Sequence, residues 1–274
     1  ETNRTRCNPP LSRKEVSKIA ESVSRYEVDQ VAQSVAENWH EADRKASRKR
    51  QVKSPGAMPS ELLSPGGFLG DVIDWNLRTA FKPQRELALA SALSLMATLT
   101  GRKITDERGT RTNLYCLGVC ETGGGKEHGR KVNKAILTAC GGEDFIGPEG
   151  IGSHVGLLSS LQHNPVQLFQ IDEIGRLLAT LNNPSKAPHL YNVVSVLLKL
   201  YTSSDSFYIG DAVADRKKIA RIQQPHAVVY GTTVPENFFQ SLAKESLNDG
   251  FVSRLLVFDA AHGDPDSQDS IREA

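Results

Sequence analysis

Two groups of residues in this 274-residue chain have the types and spacing that chemistry at a phosphate requires. The first is Glu121-Thr122-Gly123-Gly124-Gly125-Lys126, set between an apolar run and a helical pattern. Three successive glycines let backbone N–H groups converge on phosphate oxygens without interference from Cβ atoms. A helix opening just after such a loop adds the positive end of its dipole. Lys126 then reaches toward the β- and γ-phosphates of a nucleotide. Thr122, Gly123, Gly124, Gly125, Lys126, Glu127 and His128 are therefore the candidate nucleotide-binding residues. A glycine triplet alone is a common turn; its place between strand and helix gives it weight.

The second group follows the apolar run Val166-Gln167-Leu168-Phe169-Gln170-Ile171, which leads straight into Asp172-Glu173. Asp172 is suited to hold Mg²⁺, and Glu173 to orient and polarise an attacking water. Acids also gather at helix N-termini for dipole reasons, so it is the upstream glycine loop that favours the catalytic assignment. Thr232, ending the run from His226, can present a hydroxyl to the γ-phosphate or the water, although threonines at strand ends also begin turns. Asn237 in the following helix is a further candidate. Arg254, just before the last apolar run, is either a surface ion-pair residue or an arginine donated to a neighbouring copy's nucleotide. Such an arginine can be worth about 10³–10⁵ in rate, and a head-to-tail ring supplies the contact it needs.

The glycine loop departs twice from the usual phosphate-loop pattern G-x-x-x-x-G-K-[ST]. Cys120 stands at the first glycine, and Glu127 replaces the hydroxyl residue that ordinarily ligates Mg²⁺. Glu127 can ligate the metal through a carboxylate oxygen, giving Asp172 and Glu127 as the metal candidates, or it can repel phosphate. His128, Arg130 and Lys131 add positive charge at the same helix end.

These groups need rigid elements behind them. Apolar strand-like runs are expected at 113–120, 166–171, 227–231 and 251–258, with helices at 68–80, 84–100, 130–139, 154–161, 190–201 and 235–246. Strands alternating with helices predict an α/β fold, a parallel sheet with helices on both faces. Residues 65–262 form this core. Before it, 1–40 reads as a small helical module: Asn8-Pro9-Pro10 is a stiff lead-in, Ser12 and Glu15 make a capping box, and Val16, Ile19, Ala20, Val23 and Tyr26 recur at helical spacing. Residues 41–64, basic and then Ser54-Pro55-Gly56, read as a solvated linker, or alternatively as an arm on nucleic acid. Residues 263–274 are a polar tail, and the opening at Glu1-Thr2-Asn3 suggests a piece of a longer protein.

Thirty-three basic residues nearly cancel thirty-two acidic ones, so the net charge of +1 neither favours nor excludes nucleic acid. The longest apolar stretch, from Leu87 to Leu99, is too short to span a bilayer. Cys7, Cys116, Cys120 and Cys140 lack metal-ligand rhythm; Cys116 and Cys120 read as buried thiols, and a cytoplasmic location is expected.

Taken together, Asn8-Pro9-Pro10-Leu11-Ser12 with Glu15-Val16 and Ile19-Ala20 resembles the small helical domain that follows the polymerase domain in phage and plasmid primase-polymerases. The Gly123-Gly124-Gly125-Lys126 loop, Asp172-Glu173, Gly231-Thr232-Thr233-Val234-Pro235-Glu236 and Gly250-Phe251-Val252-Ser253-Arg254 resemble the helicase-type P-loop ATPase domain fused downstream of it, of AAA+ (RecA-like) or superfamily 3 character. The resemblance covers nearly the whole chain. It implies an ATP- and Mg²⁺-dependent helicase acting as a homo-oligomeric ring, a hexamer, on single-stranded DNA, with a primase-polymerase domain upstream. It also implies a pore-lining hairpin from Phe207 to Arg221, in which Arg216, Lys217, Lys218 and Arg221 track phosphates; an exposed basic loop is the plain alternative. Two other functions remain open: a nucleotide- or DNA-binding scaffold for an attached primase, which Glu127 keeps in play, and a P-loop switch with protein partners.

Overall fold

The computed structural model describes residues 11–23, 58–180, 185, 187–212, 219–242 and 250–260. Asn8-Pro9-Pro10, Tyr26, the basic stretch 44–53, Arg216, Lys217, Lys218 and the tail 263–274 lie outside the described residues. The chain divides into two compact units, Glu1–Ala57 and Met58–Ala274.

In the first unit, α1 (Arg13–Val23) opens on the expected capping box. The Ser12 backbone N–H donates to Glu15 Oε2 at 2.9 Å, and the Glu15 N–H returns to Ser12 Oγ at 3.4 Å. The Ser12 hydrogen bonds hold the Glu15 carboxyl below its ordinary pKa.

The second unit begins with α2 (Ser60–Leu63), α3 (Gly67–Thr79) and α4 (Arg85–Leu99). The strands β1 (Tyr115–Cys120), β2 (Val166–Ile171), β5 (His226–Thr233) and β6 (Leu255–Ala260) form one parallel sheet in the order β2-β5-β1-β6. Between β1 and β2 run α5 (His128–Ala139) and α6 (His154–His163). Between β2 and β5 come α7 (Gly175–Ala179), α8 (Pro188–Thr202) and a hairpin of β3 (Phe207–Ile209) and β4 (Arg221–Gln223). The helix α9 (Pro235–Ser241) follows β5.

Every residue of β1, β2 and β5 is buried, as parallel strands covered on both faces must be. Alternation divides them between two cores. Tyr115, Leu117, Val119, Phe169, Ile171, Ala227 and Val229 face Leu161, Leu178, Val193 and Leu197 on one side. Cys116, Leu168, Val228 and Tyr230 face the α3–α4 layer on the other. There α4 crosses all four strands, and Gly118 is what lets it come down: a Cβ at that position would stand 2.6 Å from Leu87 Cδ2. Helix α5 is set on α4 by a second close approach at Gly129, against Ser91, and by Asn133 Nδ2 donating to the Ser91 carbonyl at 3.1 Å. Cys116 and Cys120 are buried in the sheet as expected, and burial pushes the Cys116 thiol up to about 11.

One expected strand starts late. Within 251–258, Val252–Arg254 is a 3₁₀ turn and pairing begins only at Leu255. Gly250 turns the chain at φ +73, and Phe251 is fully buried as an anchor. The Arg254 N–H bonds to the Phe251 carbonyl at 3.0 Å, closing the turn before a ladder can form. No described helix is long and apolar enough to cross a membrane.

His226 starts β5 fully buried, with Nε2 donating to the Ala97 carbonyl at 2.9 Å. Its Nδ1 has no partner, so protonation would place an unsatisfied donor in the core. Burial accordingly lowers the pKa of this ring. A lowered histidine pKa means the unfolded chain takes up the proton first, so stability falls as pH drops below about 6.5. We expect the melting temperature to decline between pH 7 and pH 5, and His226→Gln to flatten that decline; an unchanged slope would show that His226 is not its origin.

Candidate functional site

The glycine loop leaves β1 at Cys120 and ends where α5 begins. Gly123 and Gly125 adopt φ of +74 and +82, values that exclude ordinary side chains at low cost. Gly124 between them has no room for one: its Cβ would lie 2.3 Å from Cys120 Sγ. The connection between α3 and α4 holds the loop from behind. Lys82 Nζ donates to the Gly123 carbonyl at 2.8 Å, and Gln84 Nε2 to the Gly124 carbonyl at 3.0 Å. In a trans peptide the N–H points opposite to its C=O, so the Gly125 N–H is turned away from Gln84. Among the described residues, the backbone N–H groups of Gly123, Gly125, Lys126 and Glu127 have no acceptor. Unused donors in one loop at the start of a helix are what an oxyanion cradle requires.

Strand β5 lies between β1 and β2, and it brings the carboxylates to this loop. Gly231 pairs with both Leu117 and Ile171, so β2 ends level with Leu117, three residues before β1 ends at Cys120, and the carboxylates after β2 leave the same edge of the sheet as the loop. Lys126 Nζ meets Glu173 Oε1 at 2.5 Å, and Arg130 Nη1 meets Asp172 Oδ1 at 2.9 Å. Thr232 is fully buried, and its hydroxyl donates to Asp172 Oδ1 at 3.2 Å; it is spent on the carboxylate, not offered to solvent. Asn237 Nδ2 reaches Glu173 Oε2 at 3.4 Å. Partial burial opposes ionisation of Asp172, but Arg130, Thr232 and the Glu173 N–H together outweigh it and hold the carboxyl below its ordinary pKa. Glu173 itself sits at φ +49, a strained backbone for a non-glycine residue. Asp172 and Glu127 line one cavity of about 200 Å³ with Arg130, Lys131, Lys134, Glu149 and Gln170.

Other sequence candidates fall elsewhere. The His128 ring is turned to α3, where Nε2 lies 2.9 Å from Thr79 Oγ1. Burial lowers the pKa of this ring, which favours its neutral form over the positive charge that the sequence suggested. Arg254 precedes Leu255, which pairs with Tyr115 at the start of β1, so it lies at the other end of the sheet from the loop. Its Nη1 donates to the Gly250 carbonyl at 2.6 Å, and its guanidinium lies 5.6 Å from the Tyr201 ring centroid. Arg221 is exposed on the hairpin beside Ile209, on the same face as Phe207, which is 64% exposed. Sequence reasoning missed Lys82 and Gln84 altogether, and credited Arg130 with charge but not with its partner.

Comparison of the chain with models of known protein families and with curated proteins gave no match in either case.

The loop's tolerance to side chains is directly measurable. Gly125→Ala brings a Cβ to 2.7 Å from the Lys82 carbonyl oxygen and forces alanine into positive φ. We expect a loss of about 1–3 kcal/mol in chemical denaturation. Gly150→Ala, which meets nothing within 4 Å, is the control and is expected to be near neutral.

Proposed function

We propose that this chain is a P-loop ATPase domain that works as a DNA helicase or translocase. One observation carries the reading: four unsatisfied backbone donors of the glycine loop lie beside Lys126, which already touches the carboxylate best suited to activate water. The donors fit a polyphosphate. The free N–H groups are donors of the kind that phosphate oxyanions accept.

In this reading the loop amides and Lys126 bind the β- and γ-phosphates of ATP. Lys126 exchanges Glu173 for phosphate oxygen. The exchange is feasible on magnitude: a partly exposed ion pair is worth about 1 kcal/mol, whereas a micromolar nucleotide supplies about 8 kcal/mol. Glu173, freed and steadied by Asn237, accepts a proton from water as the water oxygen attacks the γ-phosphorus. The bond from that phosphorus to the β–γ bridging oxygen breaks, and ADP leaves with the electron pair. Asp172 and Glu127 would hold a divalent cation, which supplies charge neutralisation to the phosphates when bound.

The wider assignment follows the motif resemblance. Arg254, remote from its own loop, suits donation to a neighbouring copy in a ring, a hexamer, and the hairpin face with Phe207 and Arg221 suits a single strand, stacking on one and ion-pairing with the other. An attached primase-polymerase domain would be the partner in the full-length protein. Glu127, exposed where a hydroxyl residue would ligate metal, favours a second reading: a nucleotide-binding scaffold with little turnover.

Steady-state ATP hydrolysis, with and without single-stranded DNA, decides between them. The motor reading expects turnover that rises with DNA and is lost in Lys126→Ala. An oligomeric wild-type sample that binds ATP but does not hydrolyse it would establish the scaffold instead.

A further inference from the structure

Of the four cations on the glycine loop and α5, two are each bound to one of two successive carboxylates. Lys126 takes Glu173, and Arg130 takes Asp172. The first contact is expected of a phosphate-binding lysine waiting beside its water-activating partner. The second has a different consequence. The ion pair with Asp172 is the one polar contact that the Arg130 guanidinium makes among the described residues, and a guanidinium has five N–H donors in a planar fork. Its side chain is only 14% exposed, so little water serves the others. The cavity of about 200 Å³ beside it is lined by Glu127, Asp172 and Gln170, with Lys131 and Lys134 further along. Lys134 is engaged by Glu149, whose carboxylate also feels Arg130 through space, and Arg130 is the least exposed of the three cations that line the cavity.

We infer that Arg130 is a catalytic arginine acting in its own subunit, which disfavours a cation at Asp172 until nucleotide arrives and then turns its fork to the terminal phosphate. The inference rests on the ATPase reading above and deepens it. Arg130, Thr232 and the Glu173 N–H all take Asp172 Oδ1, so a divalent cation would be left Oδ2, and Arg130 competes with it through its charge rather than by occupying every ligand atom. Arrival of a nucleotide–cation pair resolves the competition, because the cation replaces the charge at Asp172 while the γ-phosphate offers Arg130 a bidentate acceptor. The position also answers the loss of a hydroxyl at residue 127. Where the metal is less well held, a fixed guanidinium can carry part of the charge that develops on the transferring phosphoryl oxygens.

The test uses Arg130→Ala, with Arg130→Gln as a second variant that removes the charge but keeps a polar side chain. Three quantities are read: melting temperature, binding of a fluorescent ATP analogue, and binding of Mn²⁺ alone by electron paramagnetic resonance. Hydrolysis is measured alongside. For a folded variant we expect nucleotide affinity within about threefold of wild type and hydrolysis reduced about 10²- to 10³-fold. Mn²⁺ affinity in the absence of nucleotide should rise about fivefold, because its competitor is gone. Unchanged or weaker Mn²⁺ binding in both folded variants would make Arg130 a structural clamp and overturn the inference. Wild-type hydrolysis by either variant would overturn it as well. Failure of the wild-type protein to bind the ATP analogue would instead remove the ATPase reading on which the inference stands.

Discussion

The rest of the structure depends on β5 hydrogen-bonding in parallel to β1 on one side and β2 on the other. Buried backbone N–H and C=O groups must be paired, so the register is set by the ladder rather than by any side chain. With Gly231 opposite both Leu117 and Ile171, β2 ends three residues short of β1, and both strands run out on the same edge of the sheet. Loops at the carboxyl ends of parallel strands converge in an open α/β sheet. Here that convergence brings Lys126 within 2.5 Å of Glu173, although 47 positions separate them in the chain. The same ladder sets Thr232 beside Asp172.

Rigid packing then serves the loop. Glycines at 118 and 129 are contact residues: one seats α4 on the sheet, the other seats α5 on α4. The start of α5, and with it the loop's far end, is thereby held by two apolar layers. Lys82 and Gln84 hold the loop's carbonyls from the α3–α4 connection. Preorganised donors of this kind need no rearrangement when an anion arrives, which is where their energetic value lies. The ion pairs across the mouth are of the opposite character. Glu173 is 30% exposed, and both partners are long side chains free to change rotamer, so the pair is exchangeable in a way that the loop backbone is not.

The strands and helices of the core were legible because their signals are local. Apolar runs of six or so residues bounded by Gly, Asn-Pro or Thr-Thr marked β1, β2 and β5, and Pro235 opened α9 where a proline can. The capping box of α1 was readable for the same reason. Strand order was not, since the apolar pattern of a parallel strand is the same wherever it lies in the sheet. Without strand order, the Arg130–Asp172 pair and the support from Lys82 and Gln84 had no local trace. The late start of β6 was missed because Phe251, Val252, Leu255 and Leu256 look like one run. A buried Phe251 behind Gly250 converts its first half to a turn.

The two departures from the usual loop pattern turn out to be different in kind. Cys120 is absorbed by the fold: its thiol is buried, burial raises its pKa, and Sγ donates to the Gly124 carbonyl at 3.6 Å. A glycine at 124 is the condition for that, because a Cβ there would stand on the sulfur. Cysteine at one position and glycine at the other thus form a packed pair, and the loop keeps its shape. Glu127 is not absorbed. It is exposed at the first turn of α5 with its N–H unused, and its charge faces the cavity that it shares with Asp172 and Arg130. A carboxylate near a helix N-terminus is favourable in an empty site, and becomes a cost when phosphates approach unless a cation stands between. Under the proposed ATPase reading, that arrangement favours a nucleotide already carrying its metal, since the pair brings the charge that a bare polyphosphate lacks.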